Sequence, residues 1–181
     1  MRYPEGHKEE VRGIIVQAAA SALRREGLQG ISIPALMKKA GLTHGGFYAH
    51  FKSRDELVAE AVLAAAEETG SSVLSNPRGL SAVLGTYLSK EHVGNAAAGC
   101  VLAALGSEGR RQPTIVRRAF AKAAQGFIRL LEQKRQPQAS TAIPSDETLA
   151  LASSMIGAIV LARLVDDEGL ADRILKAVRR N

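Results

Sequence analysis

The eleven residues "GLTHGGFYAHF", 41–51, gather groups able to meet a charged partner. Thr43, His44, Tyr48 and His50 stand there among three glycines and the aromatics Phe47 and Phe51, in a chain with four His, four Phe, three Tyr and no Trp. A metal site would need side chains converging on one point. His44 and His50 do not share a helix face and have no Cys or acid beside them, so no metal is expected. An anion-binding surface fits better. Gly45 and Gly46 each cost a helix about 1 kcal/mol relative to Ala, and a loss of that size asks for a local reason. Glycine lets another backbone come close and leaves amides open to an anion. From Gly27 to Arg54 there is no Asp or Glu, while Lys38, Lys39, His44, His50, Lys52 and Arg54 fall inside that window. A phosphate backbone demands such a footprint.

Flanking elements position these groups. Val11, Ile14, Ile15, Ala18, Ala19, Ala22 and Leu23 repeat with the helical period, predicting a helix over 7–26 that Gly27 stops. Ser32 caps a second helix, with Pro34 tolerated in its first turn and Ile33, Leu36, Met37 and Ala40 as its buried stripe. Gly41 ends it, and Thr43 caps a third, short helix. Two helices joined by "AGLT" read as a helix-turn-helix, whose second helix enters the major groove by its N-terminus. Phe47 and Phe51 are expected in a small core rather than as stacking platforms. Tyr48 points to another face, where its hydroxyl needs a polar partner. Lys38 and Lys39 suit either a phosphate or a solvated face. Ser53 opens a fourth helix with a capping box that ends at Glu56.

The whole chain, 181 residues and 46% apolar, suffices for one ordinary domain or a small domain fused to a larger one. Scattered β-branched residues with no alternating runs indicate an all-α fold. The net charge of +6 suits nucleic acid or another anionic surface. The single cysteine, Cys100, excludes an internal disulfide and fits a reducing compartment. The charged start "MRYPEGHKEEVR" has no apolar stretch after it, so no signal peptide is expected. The most apolar run, Leu149 to Val165, is short for a span and interrupted by Ser153, Ser154, Gly157 and Arg163. These features predict a cytoplasmic protein without membrane association. With no glycine-rich phosphate loop, metal cluster or nucleophile elbow, neither an enzyme nor a cofactor is expected.

Over residues 7–66 the first helix, the turn "AGLT", the "FYAHF" core and the following "SRDEL" together resemble the N-terminal DNA-binding domain of the TetR/AcrR repressors. Arg54 stands where that family has lysine, and Pro34 where it usually has a polar residue. The resemblance implies hydroxyl contacts to phosphate from Ser32 and Thr43, backbone contacts from Tyr48 and His50, and a phosphate anchor at Arg54. His44, Gly45 and Gly46 would lie nearest base edges, and Lys39 and Lys52 complete the DNA-facing set. It also implies a helical effector-binding and dimerisation domain over 71–181, and a ligand-responsive regulator, most simply a repressor, on a palindromic double-stranded operator. A helical binding module without DNA binding is the alternative; it would have no need of the acid-free window.

In that second domain helices are predicted near 79–90, 98–108, 113–135, 146–165 and 168–180. The helix at 146–165 is apolar nearly all round and must be covered on both sides. Ser154, Ala158 and Ala162 form a line of small residues, and Leu170, Ile174, Ala177 and Val178 give the last helix one stripe. Both helices are expected in a homodimer interface. A small, largely apolar effector would meet Tyr87, Leu102, Phe120, Phe127 and Met155, with Tyr87 or His92 fixing its orientation. Cys100 falls close to these residues, either as a thiol with a lowered pKa at a helix N-terminus or as a small buried hydrophobe.

Overall fold

The computed structural model describes residues 6–138 and 143–180, so the middle of the predicted loop at 136–145 lies outside the described residues. Nine α-helices follow in order among them: α1 (His7–Glu26), α2 (Ile33–Lys39), α3 (Arg54–Thr69), α4 (Leu80–Tyr87), α5 (Lys90–Gly94), α6 (Val101–Gly109), α7 (Thr114–Arg135), α8 (Asp146–Leu164) and α9 (Glu168–Arg179). A 3-10 helix, His44–Ala49, stands between α2 and α3, and one π turn, Gly70–Leu74, extends α3.

Local chemistry explains these boundaries. Ser32 accepts the Ala35 N–H at 3.4 Å and caps α2. At the other end Leu42 N–H donates to Met37 C=O at 2.8 Å and Gly41 N–H to Lys38 C=O at 3.1 Å. That is a Schellman motif, and Gly41 has the positive φ of 72° that it requires. Ser53 accepts the Glu56 N–H at 3.1 Å as predicted, but the Glu56 carboxylate accepts the Lys52 N–H at 2.7 Å, one residue before the cap, in place of the Ser53 N–H that a capping box would use. Ser145 caps α8 through the Thr148 N–H, and its own N–H is held by Glu132 of α7.

The core has two parts. The first joins α1, α2, the 3-10 helix and α3 to α6 and α7 through Ile15, Leu23, Met37, Phe47, Phe51, Val62, Val101 and Phe120. The second lies under α4, α8 and α9, with Tyr87, Phe127, Leu131, Met155, Ile159 and Leu175 at its centre. Helix α3 packs extensively on both α1 and α7, so it serves the helix-turn-helix and the C-terminal helices alike.

Several expectations need correction. The segment predicted as one helix at 79–90 ends at Tyr87, and a separate short helix, α5, follows it. Ala158 and Ala162 are buried inside the subunit, whereas Ser154 is exposed, so two of the three small residues pack against the chain's own helices. In α9 the inward face is Ala171, Ile174, Leu175 and Val178; Leu170 and Ala177 point outward. By length and composition alone α8 could cross a membrane. Here one of its faces lies in the second core, while Leu149, Leu161 and Leu164 remain exposed.

Candidate nucleic-acid interface and effector cavity

The 3-10 helix begins where Gly46 N–H donates to Thr43 C=O at 3.0 Å, and it ends with His50 N–H donating to Phe47 C=O at 2.9 Å. Thr43 occupies the N-cap position but makes no side-chain cap hydrogen bond, contrary to expectation. Its hydroxyl is therefore left to an external acceptor. Phe47 and Phe51 are buried, with ring centroids 5.5 Å apart, which confirms them as core. Tyr48 meets Phe47 edge-on at 5.3 Å and stays 70% exposed, so its phenol reaches solvent.

The outward surface thus holds Ser32, Lys39, Thr43, His44, Gly45, Tyr48 and Lys52, all exposed. Gly46 is half-buried over Met37, and His50 half-buried beside Phe51. Neither Gly45 nor Gly46 has positive φ. A Cβ on Gly45 would meet nothing within 4 Å, and one on Gly46 would make only ordinary contact with Met37 at 3.6 Å. The fold itself does not require these glycines; the space that Gly45 keeps open is unoccupied by the subunit. Arg54 sits differently from the other cations. It is half-buried and donates to the Leu28 carbonyl, tying the start of α3 to the turn before α2.

Sequence reasoning missed the group that holds this surface in place. Arg12 of α1 donates from Nε to the His50 carbonyl at 3.2 Å and lies 4.6 Å over the Phe51 ring. It also pairs with Glu60, and with Glu56 at 3.3 Å. Because Glu56 holds Lys52 N–H as well, one guanidinium fastens both the end of the 3-10 helix and the start of α3. An isolated arginine in an amphipathic helix gives no hint of this; pairing with residues 38 to 48 positions away depends on the tertiary fold.

In the C-terminal helices a cavity of about 350 Å³ opens between α3, the π turn, α6 and α7. Cys100, Leu102 and Phe127 line it; Tyr87, His92, Phe120 and Met155 do not. Phe120 lies in the first core, where a Cβ on Gly109 would come within 2.9 Å of its ring. Tyr87 and His92 form a knot behind the cavity wall, with ring centroids 4.6 Å apart. His92 Nδ1 is 2.6 Å from the Tyr87 carbonyl, and Nε2 accepts the Cys100 N–H at 2.9 Å. These partners require a neutral ring protonated on Nδ1. Burial pushes the His92 pKa below its usual value, outweighing the Tyr87 carbonyl, and nearby Arg163 adds to the lowering. Arg163 in turn donates to the His92 and Val93 carbonyls at 3.0 and 3.2 Å. Burial, and then the adjacent Cys100 thiol, raise the Tyr87 phenol well above its usual pKa. Among the described residues no three His, Cys, Asp or Glu side chains are grouped to hold a metal.

A basic helix-turn-helix tip, braced by Arg12 of α1, continues through α3 into a body that carries an apolar cavity. Residues 15–61 match the family described as bacterial regulatory proteins, tetR family. No curated protein is a significant match. Among solved structures, a TetR regulator from Chloroflexus aurantiacus J-10-FL superposes with a TM-score of 0.74 at 20% identity, covering 96% of this chain and 94% of that one. The reduced form of E. coli NemR gives 0.73 at 19% identity, covering 94% and 96% respectively. The TetR-family regulator from Agrobacterium tumefaciens gives 0.69 at 20%, covering 96% and 98%. At these identities the likeness establishes the shared fold.

Proposed function

We propose that this regulator is a cytoplasmic repressor that binds a palindromic operator as a homodimer and leaves it when a small, largely apolar molecule fills the cavity between α3 and α7. The observation that carries the DNA-binding half is the open space outside Gly45, flanked by exposed Thr43, His44, Tyr48, Lys39 and Lys52 with no acid from Gly27 to Arg54. Ser32, Thr43, Tyr48 and His50 contact the phosphate backbone, and His44, Gly45 and Gly46 face base edges. Arg54, whose guanidinium holds Leu28, meets phosphate only if it exchanges that carbonyl for it.

Helix α3 supports the coupling half. Its N-terminus abuts the reading turn and its C-terminal half forms one wall of the cavity. A ligand releases DNA only by preferring a state in which the two reading heads have the wrong spacing, and DNA then weakens the ligand by the same factor. Footprinting on DNA selected from a random pool tests the reading. A protected two-fold site bound by a dimer is expected; binding that ignores sequence at every salt concentration would refute it.

A further inference from the structure

We propose that the corner between α6 and α7 is a second DNA-backbone surface, whose arginines meet phosphates beside the half-site held by the reading turn and add affinity without sequence preference. This rests on the DNA-binding reading above and extends it from the helix-turn-helix to the C-terminal helices. Charge distribution is the first ground. From Gly109 to Leu131 there is no Asp or Glu, while Arg110, Arg111, Arg117, Arg118, Lys122 and Arg129 fall inside that stretch. The window from Gly27 to Arg54 holds four Lys and Arg; this second one holds six. The rest of the chain has 14 Lys and Arg against 18 Asp and Glu, so the net charge of +6 comes wholly from the two windows. All six cations of the second window are exposed. Among the described residues none of the six forms an ion pair. A solvated helix face usually sets acids three or four residues from its cations, and this face has no acid to set there.

Placement is the second ground. Helix α3 starts at Arg54, directly after the reading turn, and α7 runs beside it in the same direction. Thr114, Ile115 and Arg118 of α7 share a groove with Glu56, Ala59 and Glu60 of α3. At the other end a Cβ on Gly70 would lie 3.2 Å from Leu130 Cδ1. The first turns of α7 therefore stand level with Glu56 to Glu60, only about 3–9 Å along the axis from Arg54 at 1.5 Å per residue. Helix α6 returns to the same region. The Cβ position of Gly109 is 2.9 Å from the Phe120 ring, and Glu108 lies 3.7 Å from that of Gly27, where the turn towards α2 begins. Arg110 and Arg111 occupy the turn between the two helices. Glu56 and Glu60, the carboxylates on the shared groove, are held by Arg12. The two acid-free windows thus meet at one end of the molecule, the end that the reading turn brings to DNA. Guanidinium groups there match phosphate in geometry and keep their charge at every physiological pH.

The test combines Arg110→Gln, Arg111→Gln and Arg118→Gln in the full-length protein. All three positions are exposed and glutamine keeps their helix propensity, so the unfolding midpoint should not move. Affinity is measured over a range of salt on DNA selected from a random pool and on a random-sequence duplex. Affinity should fall at least about tenfold on both, the size of one charge-assisted hydrogen bond, with their ratio kept within about twofold. The slope of log affinity against log salt should become shallower by about two to three, since each phosphate contact contributes about 0.9. A control variant, Arg78→Gln, Lys90→Gln and Arg129→Gln, removes the same charge from exposed positions outside the corner and should leave the slope as it was. An unchanged slope in the corner variant, or the same loss in both variants, overturns the second surface and leaves the helix-turn-helix reading intact. A loss confined to the selected sequence also overturns it, because a backbone contact carries no sequence information. Wild-type protein that binds neither duplex overturns the DNA-binding reading and this surface with it.

Discussion

Gly45 separates what the fold needs from what DNA binding needs. Nothing in the subunit crowds its Cβ position and its φ is not positive. Gly45→Ala should therefore leave the subunit as stable as before or stabilise it by about 0.5–1 kcal/mol, through reduced freedom of the unfolded chain. Its operator affinity should nevertheless fall, since the methyl occupies the space through which DNA approaches. Thermal unfolding and a gel shift on one preparation check both signs; unchanged affinity would remove Gly45 from the interface. Arg12 predicts a different separation. It touches the His50 carbonyl, the Phe51 ring, Glu56 and Glu60 but is not among the groups assigned to phosphate. Arg12→Ala should reduce the ratio of operator to random-sequence affinity by about tenfold, because the reading turn loses its brace. The slope of log affinity against log salt should stay the same, since that slope counts phosphate contacts. A slope reduced by about one would show that Arg12 itself meets phosphate.

At the scale of elements, the connection from Tyr87 to Cys100 is held by a histidine that must remain neutral. His92 has its folded pKa below the unfolded value of 6.5. The unfolded chain therefore binds the proton first. The contribution of His92 is complete above about pH 6.5 and is lost as pH falls through the lower folded value. Stability should decline over that acid range in the wild type. In His92→Gln, which can still donate to Tyr87 and accept from Cys100 without titrating, the decline should be shallower. Urea unfolding at a series of pH values measures it, and parallel profiles for the two proteins would rule out His92 as the titrating group. This knot also shows where sequence reading stops. The helix-turn-helix was legible because its signals are local: the Ser32 and Ser53 caps, the Gly41 turn and the apolar periods of α1 and α2 all act within a few residues. The cavity was legible only in part. Cys100, Leu102 and Phe127 reach its wall, but Tyr87 and His92 turn behind it and Phe120 packs under Gly109. Hydrophobicity pointed to Phe120 and Tyr87, and His92 was expected as a polar group beside them, yet which buried space a ring enters is decided by helix packing. The wall contributed by Leu63, Ala66 and Thr69 was missed because α3 was assigned to the DNA-binding domain alone.

For the whole molecule the decisive surface is the outer face of α8. Leu149, Leu161 and Leu164 are 41%, 53% and 72% exposed, and Leu170 of α9 is 42% exposed. Leu161 and Leu164, three residues apart on one helix face, are the place to test for a subunit interface. Ala158 and Ala162, two of the small residues that suggested close helix contact, face inward instead, so Ala158→Arg would place a charge in the subunit's own core and report on folding rather than assembly. The informative variant is Leu161→Glu with Leu164→Glu. Both positions are more than half exposed in the isolated subunit, so the pair should leave its unfolding midpoint at low concentration nearly unchanged. In a dimer each glutamate would lie in an apolar contact without a partner, and loss of two central leucines should weaken association by about 4 kcal/mol or more, roughly a thousandfold. Sedimentation velocity at micromolar concentration should show a dimer for the wild type and a monomer for the variant. Operator affinity should fall with it, because a monomer holds one reading head and loses the gain from joining two half-sites. A variant that stays dimeric would move the interface off this face of α8, and a monomeric variant with full operator affinity would break the link between dimerisation and operator recognition.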